Sequence, residues 1–460
     1  MSRPFEVVAA LILIALVRPG AAHANGAFPE SYQIVLPADR PQQIILATNF
    51  GLISSDDDGA TWTWTCERMA TKNASLYGVS GSPLDRLYAA SQDVGLAWSD
   101  DQTCTWTSAA GSLDTILATD YFSDPTNTMR VYALGKLGAD DTSAPRVVAS
   151  DDGGKTFGAA LYTAPTYVAP EGFSLQGVES ARSDAKTIYV AAYKFEASVF
   201  HPRLERSIDG GQTWTELDLE PTLGRASFRI IAVDPADAST LTVRVIEPLG
   251  ESLAISHDGG MTFQKKFTVA GQLTSYVRLE SGTILAAGAL AIDGVGYRST
   301  DGGATFVDWT PVTTDAAGVP DVASDGGAPR PPHMRALAAR GGKLYVAAKN
   351  FTDDWAIGVS TDEGVHIARL AKYDQVSSIR PCAQEVCYSN CTAQVAAQIW
   401  PASVCGTGGA GGAAGMTPPP KKASGCEIGG RGGPAGTALP AAAALAGLAA
   451  LCVAALRRRR

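Results

Sequence analysis

Short apolar runs alternate with compact polar clusters along most of this 460-residue chain. The runs are rich in Tyr, β-branched and small residues: Leu87-Tyr88-Ala89-Ala90, Val131-Tyr132-Ala133, Ile188-Tyr189-Val190-Ala191-Ala192, Ile284-Leu285-Ala286-Ala287 and Leu344-Tyr345-Val346-Ala347-Ala348. They are too short for helices and read as buried strands, with small residues where sheets crowd. Turn signals stand ahead of several strands, at Ser82-Pro83, Asp124-Pro125 and Asp234-Pro235.

The polar clusters repeat one pattern, Ser-x-Asp-x-Gly-x-Thr-aromatic. Complete copies are Ser55-Asp57-Gly59-Thr61-Trp62, Ser150-Asp152-Gly154-Thr156-Phe157, Ser207-Asp209-Gly211-Thr213-Trp214, Ser256-Asp258-Gly260-Thr262-Phe263 and Ser299-Asp301-Gly303-Thr305-Phe306. Two copies are degenerate. Ser99-Asp101-Thr105-Trp106 has Thr103 in place of Gly, and Ser360-Asp362-Gly364 has His366 and Ile367 in place of Thr and the aromatic. Gly admits positive φ in a tight turn, Ser and Asp oxygens accept turn N–H groups, and the aromatic anchors the next strand. The carboxylates of Asp57, Asp101, Asp152, Asp209, Asp258, Asp301 and Asp362 are therefore assigned to structure rather than catalysis.

The unit reads turn, strand, loop, strand, box, strand, and it recurs about every 50 residues, the content of one four-stranded propeller blade. The predicted fold is all-β: a seven-bladed β-propeller with box hairpins, followed by a small disulfide-rich segment. Box seven lacks its aromatic, so the last blade is expected to lean on a strand around Ile44–Ala47. The repeats resemble the Asp-box, or BNR, family of sialidases, sortilin-type receptors, some glycoside hydrolases and photosystem II assembly factors. That resemblance covers roughly residues 30–380 and implies fold far more than function, because the boxes sit on the blade periphery.

Both ends differ from this body. Arg3 precedes an apolar run from Val7 to Val17, then Arg18-Pro19 and Ala22-His23-Ala24. The run is too short to span a bilayer and A-x-A suits a signal peptidase, so 1–24 reads as an export signal cleaved after Ala24 rather than as a buried helix. The propeller is placed at 25–380 and a Cys-rich segment at 381–405. A Gly/Pro-rich linker carrying Cys426 spans 406–436, an apolar helix 437–456 and an arginine cluster 457–460. The last three elements resemble the MYXO-CTERM sorting tail of myxobacterial surface proteins. The resemblance implies processing near Cys426 by a membrane sorting protease, and retention at the cell surface or outer membrane of a Gram-negative cell. The plainer alternative is a C-terminal membrane anchor.

Composition narrows the partners. With 37 basic against 46 acidic residues the net charge is −9, which lacks the basic footprint of a nucleic-acid binder. In an exported chain, Cys66, Cys104, Cys382, Cys387, Cys391 and Cys405 are expected in disulfides. Cys66–Cys104 is the economical pair from adjacent repeats, and the other four form a local cluster whose pairing is open. A zinc site there is the sharper alternative, but it has no His and no C-x-x-C.

Catalytic constellations are sparse. A sialidase needs three arginines, a Tyr/Glu pair and an acid/base Asp, with its first Arg in a motif ahead of the first box. Here only Arg40 of the mature chain precedes box one, and Phe228-Arg229-Ile230-Ile231 reads as a blade strand. A Ser-His-Asp hydrolase lacks Gly-x-Ser-x-Gly. His257 and His366 lie in boxes, and His201 and His333 are expected as solvated loop residues. Trp309, Trp355 and Tyr193 are candidates for sugar stacking, with core packing as their plainer role. The expectation is a monomeric surface propeller that binds an extracellular glycan or protein, with no catalytic residue, metal or cofactor assigned. The alternative is a surface glycoside hydrolase, which needs only a carboxylate pair in the central funnel.

Overall fold

The computed structural model describes residues 29–406, apart from 71–73, 92–94, 114–115, 138–143, 167–170, 291–292, 316–317 and 321–329. Ala24, Cys426 and the apolar run 437–456 lie outside the described residues. Among the described residues, no helix is long and apolar enough to cross a membrane.

Seven antiparallel sheets follow one another along the chain. Their first strands are Ser31–Val35, Ala74–Val79, Ile116–Ser123, Gly172–Ser180, Ser227–Val233, Gln272–Arg278 and Ala336–Arg340. The Tyr-Ala-Ala runs form the second strands, pairing with the first on one side and the third on the other. First strands neighbour one another at five of the seven junctions, the seventh-to-first among them; at the other two the first strand of blade three meets the second and third strands of blade two, and that of blade six meets the third strand of blade five. The first strands therefore ring a central axis, and the protein is a seven-bladed β-propeller. Apolar side chains fill each gap between blades, such as Tyr189, Leu204, Phe228 and Val243 between blades four and five.

The ring closes in a way the sequence did not suggest. Ile44–Thr48 is simply the second strand of blade one, paired on both sides within that blade. Blade seven has four strands of its own, and the fully buried Ile367 takes the place of the missing aromatic. Closure comes instead from the chain leaving blade seven, where Ser378–Ile379 adds in parallel to the outer strand Thr63–Thr65 of blade one. Val312–Thr314, leaving blade six, adds in the same parallel sense to the outer strand of blade seven. Ala110–Gly111, leaving blade two, does likewise to Thr156–Phe157 of blade three. One local device is thus used three times among the described residues, and its last use covers an edge that would otherwise be open.

Residues 380–405 fasten that last use. The helix Gln384–Ala396 and the turns around it pack Trp400, Ile399 and Val404 against Phe50 and Trp64 of blade one. The rings of Trp64 and Trp400 lie 5.0 Å apart. The disulfides are Cys66–Cys387, Cys104–Cys382 and Cys391–Cys405. This corrects the expected Cys66–Cys104 pair and the self-contained cluster. Equivalent points on packed sheets lie about 10 Å apart, beyond disulfide reach, whereas the C-terminal segment crosses both blade edges and meets each cysteine at Cα separations of 5.4 and 5.5 Å. With all four C-terminal cysteines oxidised, no thiolate is left for zinc. Arg380 adds to the clasp by donating to Asp56 of box one and Gln102 of box two.

Candidate functional site

The seven boxes join third to fourth strands, and their polar atoms are used up locally. In box four Ser207 Oγ donates to Asp209 Oδ1 (2.8 Å) and accepts from the N–H of Gly211 (2.8 Å). Thr213 donates to the two carboxylate oxygens of Asp209 through its backbone N–H (2.9 Å) and its hydroxyl (2.6 Å). These Thr213 bonds hold the Asp209 carboxyl down at about 2. Asp57, Asp101, Asp152, Asp258, Asp301 and Asp362 repeat the Ser–Asp bond. In box seven His366 Nδ1 substitutes for the Thr hydroxyl, 2.6 Å from Asp362.

The turn demands two successive positive φ angles, not one. Thr103 supplies the second in box two, at φ 80°, after Gln102 at 59°. Boxes also dock on the preceding blade: Tyr88 Oη (2.9 Å) and Arg86 (2.6 Å) both donate to the Gly153 carbonyl. Around the ring closure, Lys343 and Tyr345 of blade seven bond Asp58 of box one.

The inner strands tell a different story. In blades one to six each carries a β-bulge, at Tyr32, Ser75, Thr119, Gln176, Ile231 and Thr274. A bulge adds local twist and re-aims the residues beside it. The residue after the bulge is polar in three blades, and each time it clips the next inner strand. Gln33 accepts the N–H of Tyr77 (2.9 Å), Asp120 Oδ2 that of Val178 (3.1 Å), and Ser275 Oγ that of Leu337 (2.8 Å).

Asp120 belongs to a larger group at the axis. It lies on blade three, yet its carboxyl feels Arg229 of blade five, and Glu179 of blade four feels Asp120. Interaction between non-adjacent blades places Asp120 and Arg229 toward the axis. Asp120 and Glu179 are partly accessible to solvent but ringed by protein. Desolvation raises Asp120 to about 7, against the opposing pull of its bonds from Val178 and Tyr121 N–H and the charge of Arg229. Desolvation, with the Asp120 charge second, pushes Glu179 well above the carboxylate range. Arg229 is exposed and has no hydrogen bond or ion pair among the described residues. Behind it the half-buried Arg244 donates to the Leu273 carbonyl (2.9 Å) and lies 3.6 Å from Glu251. The two arginines line one pocket of ≈ 270 Å³ between blades five and six.

The aromatic and histidine candidates lie elsewhere. Trp309 and Trp355 are core residues, 5% and 1% exposed, and Trp309 Nε1 donates to the Gly364 carbonyl. Tyr193 sits in the long hairpin of blade four, its ring edge-on to Phe200 at 4.8 Å. His201 is a strand residue paired with Glu220 (2.8 Å), and His333 is packed against Asp353 (3.0 Å), so neither is a solvated loop side chain. Phe228-Arg229-Ile230-Ile231 is indeed a blade strand, the inner strand of blade five. Asp120 and Glu179 were not singled out from sequence, and Arg229 was weighed only within Phe228-Arg229-Ile230-Ile231 and set aside as a strand residue. The usable signal was a charged residue inside the strand-like run that precedes a second strand.

No protein-family model matches the chain, and no curated protein matches it in sequence. Solved structures are similar in fold. A GH74 xyloglucanase from Xanthomonas campestris is 13% identical over 73% of this chain and 63% of its own, with a TM-score of 0.39. YCF48 from Cyanidioschyzon merolae is 14% identical over 72% and 94%, with a TM-score of 0.42. A PL25 ulvan lyase is 10% identical over 75% and 96%, also at 0.42. The chain thus spans less than two thirds of the xyloglucanase, and these are likenesses of fold alone.

Proposed function

We propose that this chain is an exported, cell-surface propeller of the Asp-box type that binds an extracellular glycan or protein at its axial channel. One observation carries the reading. The box carboxylates are consumed by their own turns, whereas Arg229 stands at the channel with no hydrogen bond or ion pair among the described residues. Under the same reading Ala24 is the export cleavage point, and Cys426 marks the tail for a sorting protease at the cell surface. Binding of a panel of bacterial and plant polysaccharides to the purified protein tests it. Saturable binding without release of reducing ends is expected, and absence of binding across the panel would turn the search to protein partners.

A second reading, a surface glycoside hydrolase, is favoured by Asp120 and Glu179 on adjacent inner strands. A carboxyl that stays protonated near neutral pH is suited to a general acid, and its neighbour to a base or nucleophile. Release of reducing ends that disappears in Glu179→Gln would establish it.

A further inference from the structure

We infer that the pocket between blades five and six holds the oxyanion of an acidic glycan, a uronate carboxylate or a sulfate ester, on the guanidinium of Arg229 with Arg244 behind it. The inference rests on the glycan-binding reading and names the chemistry of the ligand.

Three observations on this chain carry it. Arg229 extends from the inner strand Ser227–Val233 as an exposed side chain with no hydrogen bond or ion pair among the described residues. No described residue consumes its five donors, and such a planar donor fork suits carboxylate and sulfate oxygens. Arg244 is the cross-strand partner of Arg229, and burial above all disfavours its charge, with Glu251 opposing and the Arg229 charge adding to the effect. Two like charges held together at a channel wall favour an anion between or in front of them.

The local carboxylates do not cancel this pair. Glu251 is committed, since its Oε2 accepts the Leu273 N–H at 2.7 Å while also facing Arg244. Arg244 Nε is buried without a hydrogen-bond partner. Asp120 is tied to the Val178 N–H on blade four, and desolvation keeps it and Glu179 protonated well above the pH at which free carboxyls ionise. Ile230, Ile231, Leu253 and Leu273 supply an apolar stretch of the wall, beside Thr274, Ser275 and Tyr276, against which the flat face of a sugar ring can lie while its acidic group meets the arginines. The ≈ 270 Å³ of the pocket accommodates one substituted sugar residue rather than a long chain.

The test is calorimetric titration of the full-length protein with polygalacturonate, dextran sulfate and neutral dextran. Arg229→Gln, Arg229→Lys and Lys186→Gln are titrated alongside. Lys186 is exposed in a loop away from the pocket and changes net charge by the same amount. The expected result is saturable binding of one or both acidic polymers, lost about tenfold or more in Arg229→Gln, partly restored in Arg229→Lys and unchanged in Lys186→Gln. Binding of only one acidic polymer identifies carboxylate or sulfate as the group held. Neutral dextran bound as well as the acidic polymers, or acidic binding indifferent to Arg229, would overturn the oxyanion assignment while leaving glycan binding standing. No glycan bound at all would overturn the reading beneath it. Arg229 is exposed, so its substitutions leave the fold intact, and unchanged melting of each variant verifies this.

Discussion

Removing Cys104 and Cys382 together, each to Ala, measures how the ring is held closed. Taken alone, a bridge across 278 residues would restrict the unfolded chain by about 5–6 kcal/mol. It is not alone, because Cys66–Cys387 already joins nearly the same two points. With that bridge in place, the second closes an effective loop of only about 40 residues, from Cys66 to Cys104 and back from Cys382 to Cys387, worth about 4 kcal/mol. Cys382 is exposed and Cys104 only half-buried, so the substitution opens no core cavity and reads mainly the unfolded-state restriction. Removing Cys66 and Cys387 alone should cost a similar ~4 kcal/mol plus a cavity term, because Cys387 is fully buried. Removing both bridges should cost about 10 kcal/mol, more than the two single losses together, because the last bridge then closes the whole propeller. Equilibrium unfolding in guanidinium under non-reducing conditions reads all three. A double loss no larger than either single loss would refute the shared-loop reasoning, and non-reducing peptide mapping that finds Cys66 joined to Cys104 would refute the pairing itself.

Three further outcomes follow from the packing. Trp62→Ala should cost about 3–5 kcal/mol, since Trp62 is 3% exposed, whereas the half-buried Trp214 should cost about half as much on the same unfolding assay. Gly154→Ala should cost about 2–3 kcal/mol, because φ is +78° and the added Cβ would stand 2.8 Å from the Tyr88 ring. The raised carboxyls make stability fall as pH rises: Asp120 and Glu205, both at about 7 by desolvation, bind protons more tightly folded than unfolded, so the loss develops from about pH 4 to about 7. Asp120→Asn should match the native protein in melting temperature near pH 4 and exceed it at pH 7.5; an unaltered pH slope would count against the desolvated site.

What was legible in the sequence was what is local. The boxes declare themselves because Ser, Asp, Gly and Thr satisfy one another within eight residues, so the turn's physics is written in fixed spacing. Thr103 escaped its consequence there, since a β-branched residue at φ 80° is tolerated only where the surrounding blade dictates the turn. The cysteine pairing was not legible, because partners 278 and 321 residues apart are chosen by ring closure and not by repeat adjacency. Nor was the axial group. The bulge breaks the two-residue alternation of the inner strands that carry them, so no face assignment for Asp120, Glu179 or Arg229 could be read from pattern. Trp309 and Trp355 take the plainer of their two expected roles, folded into the gap between blades six and seven.

The central claim is that ligand meets the inner strands while the boxes serve only the fold. Hydrogen–deuterium exchange of the full-length protein, with and without excess polygalacturonate or dextran sulfate, tests this directly. Slowed exchange is expected in peptides covering 172–180 and 227–247, with the box turns at 55–62, 207–214 and 299–306 unchanged. Protection confined to the box turns, with the inner strands of blades four and five indifferent to ligand, would contradict the account.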